Sequence, residues 1–138
     1  MPNFEEFYHI IKRDYGQLWN YKVLGNTLEI ITPHSTVSSK FVSVYLTQRG
    51  ENYIISDGGD VEKNSYLKFE DEDITVIKSQ CYSVLKREVK RHYNIANILD
   101  SIGTVIYYKK TNRPELVTSL IHDVASFITT VVINDATS

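Results

Sequence analysis

Residues Lys40–Gln48, KFVSVYLTQ, alternate strictly: Val42, Val44 and Leu46 point one way, and Phe41, Ser43, Tyr45 and Thr47 the other. A period of two is the pleat of a strand with one face in a core, and an α-helix cannot present it. The flanking segments carry matching punctuation. Tyr21–Leu24 stops at Gly25-Asn26, a Gly-first pair suited to a type II′ hairpin turn. Thr27–Thr32 is the return strand, and Pro33 is expected to end it by withdrawing an N–H from the ladder. His34–Ser39 is small and polar, a loop. Arg49-Gly50-Glu51-Asn52 then turns the chain into Tyr53–Ser56. Connections this short favour antiparallel pairing, so residues 21–56 are expected to form an antiparallel meander.

Helical periodicity brackets this block. Asn3 can cap a first helix with Glu6 three residues on, and Phe4, Phe7, Tyr8, Ile11, Tyr15 and Leu18 recur along one face. Gly16 weakens its last turn. Ile74, Ile77, Cys81, Leu85 and Val89 define a second helix ending near His92. Asn112 is expected to cap a third, with Pro114 preorganised in its first turn. Its face runs through Leu116, Val117, Leu120, Ile121, Val124, Phe127, Ile128 and Val131, the most hydrophobic helix and the expected cover of the meander, with Leu120 fully buried. Gly103–Lys110 reads as a strand, whereas Tyr93–Ser101 fits either a helical turn or a short strand. The expected fold is α+β, an antiparallel meander of four to five strands packed against about three helices. It forms a single domain over 1–138, with 134–138 a disordered tail.

Composition narrows the function. The length of 138 residues suits one core, and 42% hydrophobic with 23% charged residues excludes wholesale disorder. A net charge of −2 argues against a non-specific nucleic-acid binder. No stretch approaches the roughly 18 uncharged apolar residues of a membrane span, and MPNFEEF lacks the basic start of a secretory signal. One cysteine, Cys81, can form neither an internal disulfide nor a Cys-based zinc site, so a cytoplasmic setting is expected. Ten tyrosines suit half-buried strands and binding surfaces alike.

The sharpest local feature is Asp57-Gly58-Gly59-Asp60-Val61-Glu62, which opens the aperiodic segment running to Asp73. Three carboxylates beside glycines could hold a hard cation through oxygen ligands. The same letters also make a turn whose Asp accepts backbone N–H bonds. EF-hand spacing is absent, and the acid-x-Lys of a metal-dependent nuclease lies on no strand after Asp57, because Glu88-Val89-Lys90 is helical. Cys81 falls on an apolar helix face, and His34-Ser35 is an adjacent pair without a nucleophile-elbow motif. No catalytic residue, metal ligand or cofactor site is assigned.

Charge is segregated along the chain. Asp57–Asp73 holds seven acids (Asp57, Asp60, Glu62, Glu70, Asp71, Glu72, Asp73) against two lysines. Residues 86–113 hold seven bases, four of them on the second helix as Lys86, Arg87, Lys90 and Arg91, against Glu88 and Asp100. These are either two solvated faces or an acidic and a basic docking surface. Glu70 to Asp73 directly precede Ile74, where the positive end of the second helix's dipole favours them.

The block TLEIITPHSTVSSKFVSVYLTQRGENYIISDGGDVE also resembles the core of a bacterial and phage family, domain of unknown function 1828. The matching features are Thr32-Pro33 ending a strand, Val44-Tyr45, Ile54–Asp57 and Gly58-Gly59, followed by a charged helix, a short strand and a long apolar helix. The likeness spans about residues 18–131. It departs from the pattern where an acidic pair before one glycine is replaced by Asp57-Gly58-Gly59-Asp60. The resemblance implies a phage or mobile-element setting in the cytoplasm of a bacterial host.

Together these features give a non-enzymatic accessory protein that binds a host protein, with inhibition of a host defence nuclease, in the manner of an anti-CRISPR protein, as its specific form. The partner-binding candidates are the seven acids and the four bases of the second helix. The alternative is a metal-dependent nuclease-like or nucleic-acid-binding protein using Asp57, Asp60 and Glu62 or the basic strip 86–113. Self-association is a further expectation, and membrane binding is not expected.

Overall fold

Glycine-led turns set the topology. Gly25 takes φ +61° and Asn26 stays at negative φ, the signs of a type II′ turn, so Leu24 pairs with Thr27 across a two-residue loop. Gly50 at φ +61° opens the second tight turn, between paired Arg49 and Asn52. A computed structural model describes residues 3–17, 19–35, 41–62 and 86–137.

The elements in chain order are α1 (Phe4–Gln17), β1 (Asn20–Leu24), β2 (Thr27–Ser35), β3 (Phe41–Arg49) and β4 (Asn52–Ser56), then β5 (Ala96–Leu99) and β6 (Val105–Thr111). The described part of α2, residues 86–92, precedes β5. A single 3-10 turn, Pro114–Leu116, leads into α3 (Val117–Thr137). The strands form one six-stranded antiparallel sheet in the order β1-β2-β3-β4-β6-β5. The meander continues through β4, and β6 then pairs with both β4 and β5. The chain therefore passes over β6's place through α2, forms the edge strand β5 and turns back.

The alternation of β3 defines the core. Val42 and Val44 are fully buried while Phe41 remains 54% exposed. Opposite them α3 lays Ile121, Val124, Phe127, Ile128 and Val131, with Ile55 and Tyr107 filling in from β4 and β6. The Tyr107 and Phe127 rings meet at 5.1 Å. By length and hydropathy Pro114–Val132 reaches what a membrane crossing needs, where the sequence leads one to expect no such stretch. In this fold its apolar residues lie on the sheet.

Several sequence expectations are corrected. Pro33 does not end β2, which runs on to Ser35 through a register shift between Ile31 and Ser35. There the Thr32 hydroxyl donates to the Val42 carbonyl (2.8 Å) and accepts from the His34 N–H (3.3 Å). A side chain thus supplies the cross-strand donor in the stretch that contains the proline. Arg113, not Asn112, is the cap before Pro114, and it makes no side-chain cap bond. Proline forces its predecessor into extended backbone, which puts the helix boundary at Arg113. Leu120 is only partly buried, at the margin of the core. The last helix continues to Thr137. Tyr93–Ser101 resolves into a helix end and a strand. Asn94 adopts φ +55°, its N–H bonds the Arg91 carbonyl (3.3 Å), and the Ile95 N–H bonds that of Lys90 (2.9 Å). This is a Schellman ending, and it buries Ile95 before β5 starts.

The first helix starts as expected, with the Glu6 N–H on Asn3 Oδ1 at 3.1 Å. Its apolar face does not behave as expected: α1 has no buried residue. The second helix's residues Ile74, Ile77, Cys81 and Leu85, and the acids Glu70, Asp71, Glu72 and Asp73, lie outside the described residues.

Candidate functional site

Asp57 follows β4 directly and has no solvent exposure. Its Oδ1 accepts the N–H of Gly59 (3.0 Å) and of Tyr107 (2.9 Å), and Oδ2 accepts that of Val61 (3.1 Å). Its own backbone closes the circuit, since the Asp57 N–H donates to the Tyr107 carbonyl (3.0 Å) and the Asp60 N–H to the Asp57 carbonyl (3.1 Å). The turn needs its glycines. Gly58 sits at φ +65°, and a Cβ there would lie 2.5 Å from the Tyr45 ring. Burial pushes the Asp57 carboxyl above its ordinary range, against the pull of the N–H bonds from Gly59, Tyr107 and Val61.

This arrangement has the hydrogen bonds that the turn reading of the segment calls for. Three backbone N–H groups take up three of the roughly four acceptor positions of the buried Asp57 carboxylate. Among the described residues no cluster of three or more His, Cys, Asp or Glu side chains could hold a metal ion. The segment is an Asx-type turn fastening the β4 exit to β6. As a partner-binding residue Asp57 is corrected outright, because a fully buried carboxylate cannot touch a partner.

The other two acids of the turn also face inward. Asp60 accepts a hydrogen bond from the Tyr45 hydroxyl (3.2 Å). Glu62 pairs with Lys86 at 2.5 Å and accepts the Tyr107 hydroxyl at 2.6 Å. Desolvation works to raise the Glu62 carboxyl, but the Lys86 and Tyr107 hydrogen bonds and the Lys86 charge outweigh it and hold the group below its ordinary value. With side chains only 28% and 14% exposed, Glu62 and Lys86 tie the turn to the start of the described part of α2.

Two bases of α2 stay largely exposed. Arg87 and Arg91 side chains are 66% and 73% exposed, and their contacts to Glu88 stretch to 3.9 and 3.8 Å. Such surface pairs contribute little and leave both guanidinium groups able to engage another molecule. Lys90 reaches Asn97 on β5. Lys86, Arg87, Lys90, Asn97, Val105 and Tyr107 line an open cleft of about 280 Å³ between α2 and the β5–β6 hairpin. A second hollow, bordered by Arg91, Asn94 and Ala96, continues around the helix end. Further along the basic strip, Lys109 is consumed by Asp123 (2.9 Å) and the Tyr93 carbonyl (2.8 Å), which clamps β6 to α3.

The strand that follows α2 leaves apolar side chains exposed on both of its faces. The edge strand β5 exposes Ile98 (56%) and Leu99 (63%), and the loop after it exposes Ile102 (80%). That loop is held by Asp100, whose Oδ1 accepts the N–H groups of Ile102 (3.0 Å) and Thr104 (2.8 Å). Sequence reasoning missed Asn97, Tyr107 and this patch. The doublet Ile98-Leu99 was the available signal, an apolar pair in a segment too short to bury both faces.

Of the nucleophile candidates, Cys81 and the Ser35 side chain lie outside what the structure describes. His34 presents a buried Nε2 with no hydrogen-bond partner and lies 6.1 Å, ring to ring, from the exposed His122. Burial, then the His122 charge, lowers its pKa. No protein-family model, curated protein or solved structure matches the chain.

Proposed function

We propose that the chain is a non-enzymatic binding module that holds an acidic protein partner on the basic face of α2 and the adjoining edge of β5. The observation that carries this is an open cleft lined by Arg87 and Lys90 of α2 and Asn97 of β5, on an edge strand that also exposes Ile98 and Leu99. An apolar centre beside a cationic rim is the composition of a protein interface, and arginine is the charge such interfaces favour. A nucleic-acid surface would use the bases without needing aliphatic side chains. β5 pairs on one side with β6, and among the described residues it ends the sheet. Its free edge offers backbone groups to an added strand, so a partner segment could extend the sheet while its acidic side chains meet α2.

The resemblance to the phage and mobile-element family supplies the setting: the partner is a host protein, and a host defence nuclease is the specific form of this proposal. The acids that occupy such a nuclease in this reading are Glu70 to Asp73, since Asp57, Asp60 and Glu62 are engaged in the turn. A second reading, nucleic-acid binding along 86–113, is favoured by the open cleft at Lys86, Arg87 and Lys90.

One variant separates them. Arg87→Glu with Arg91→Glu is expected to leave folding intact and abolish stoichiometric capture of a host protein from lysate, while the unaltered chain shows no salt-sensitive binding to duplex or single-stranded DNA. Capture by the variant equal to that of the unaltered chain would overturn the proposed surface. DNA binding lost on the same double change would establish the second reading.

A further inference from the structure

We infer that α1 is the self-association element of this protein, and that two copies pair through it in antiparallel orientation. The helix spans Phe4–Gln17 and buries nothing, yet Phe4 (77% exposed), Tyr8 (59%), Ile11 (62%) and Tyr15 (47%) repeat at alternating four- and three-residue steps. That spacing is the seam of a helix pair, with Phe4 and Ile11 at one core position of the heptad and Tyr8 and Tyr15 at the other. Phe7, 54% exposed, widens the stripe on one flank. At the end of the seam the Tyr15 ring meets Trp19 edge-on at 6.1 Å.

Charge specifies the occupant and its direction. Beside the seam on one flank stand Glu5 and Lys12, seven residues apart and therefore at the same heptad position. The other flank carries Phe7 and Asp14. In an antiparallel pair each flank meets its own copy, so Glu5 faces Lys12 of the second copy and Lys12 faces that copy's Glu5. Two attractive pairs form by symmetry, as a two-fold interface requires. A parallel pair sets opposite flanks together, and Lys12 then meets Phe7, with no ion pair formed. The antiparallel layers stack Phe4 on Tyr15 and Tyr8 on Ile11, aromatic on aromatic and aromatic on aliphatic. Five such side chains offer on the order of 600 Å² per copy, which brings the pair to the lower end of specific interfaces. Neighbouring β1 adds to the same end of the molecule an edge strand with Tyr21 67% and Val23 69% exposed.

The test is a charge exchange on the full chain, read by sedimentation velocity across a dilution series. The unaltered protein is expected to show a concentration-dependent dimer. Glu5→Lys alone and Lys12→Glu alone should each raise the dimer dissociation constant about tenfold or more, by turning two attractions into two repulsions. The double exchange should restore it. All three variants change exposed positions, and unaltered circular dichroism and melting at low concentration confirm that each folds. A monomer at every concentration overturns the inference, whether α1 proves covered by another part of the chain or binds lipid vesicles instead. A dimer indifferent to the single exchanges, or not restored by the double, overturns the antiparallel pairing through α1.

Discussion

The α3 half of the molecule and its α1 end begin from the same kind of sequence and finish in opposite states. Both helices carry an apolar face at three- and four-residue spacing. In α3 that face lies on β3, β4 and β6, and Val124, Phe127, Ile128 and Val131 lose all exposure. In α1 the face stays in solvent along its whole length. Periodicity therefore reports that a helix has a face to bury, and it says nothing of whether the partner is in the same chain. The α3 half is also cross-tied by polar groups: the Asp57 turn to β6, Glu62 to Lys86, and Lys109 to Asp123.

The largest test of this contrast is Phe127→Ala, which should cost about 3–5 kcal/mol in chemical denaturation, as for a fully enclosed aromatic. Leu120→Ala, at the core's margin, should cost clearly less than the full burial expected from sequence would require. A Phe127 cost below about 1 kcal/mol would mean that α3 does not seal the sheet. Next comes Asp57→Ala, which strands three buried N–H groups and should destabilise by about 3 kcal/mol or more. Asp57→Asn should cost less, because one amide oxygen still accepts.

Acid titration separates Glu62 from Asp57 by sign. The Glu62 carboxyl is held below its ordinary value of 4.5, so its contribution is full above that pH and is lost as pH falls through the folded value. Burial raises Asp57 above 3.8, so its ionisation works the other way and weakens the fold as pH climbs from 3.8 through the folded value. Melting curves between about pH 3 and 6 should show Glu62→Gln flattening the loss on acidification, with a cost near 1 kcal/mol at neutral pH. A Glu62→Gln profile that parallels the unaltered protein would remove that tie. The smallest effect belongs to α1: Phe7→Ala should change monomer stability by less than about 0.5 kcal/mol in dilute solution. A loss comparable with Phe127→Ala would place the α1 face inside the fold and dissolve the contrast.

Much of the sheet was legible because its signals are local. Gly25-Asn26 and Gly50-Glu51 dictate tight turns through φ, and the alternation of Val42 and Val44 needs no knowledge of the rest of the chain. Errors arose where a residue's local preference met a non-local partner. Pro33 stays in β2 because the Thr32 hydroxyl reaches Val42 ten residues away. Tyr93–Ser101 is ambiguous in sequence because β5 has four residues and is paired with β6, a strand farther along the chain. At the candidate site, the basic side chains of α2 could be counted from sequence, but their separation into paired Lys86 and open Arg87 and Arg91 could not. That division depends on Glu62, twenty-four residues earlier.

By itself the sequence determined the α+β class, the meander over 21–56, the start of α1 at Asn3 and the segregation of charge. Each of these follows from spacing, backbone dihedral preference or counting within a few residues. Only the tertiary structure decided that Asp57 is a buried fastener, that β6 lies between β4 and β5, that Ile98 and Leu99 stay exposed on an edge strand, and that α3 covers the sheet while the α1 face stays exposed. Those outcomes depend on which surfaces meet across fifty residues of chain, as in the Asp57–Tyr107 bond, and burial energy acts between surfaces rather than along the sequence.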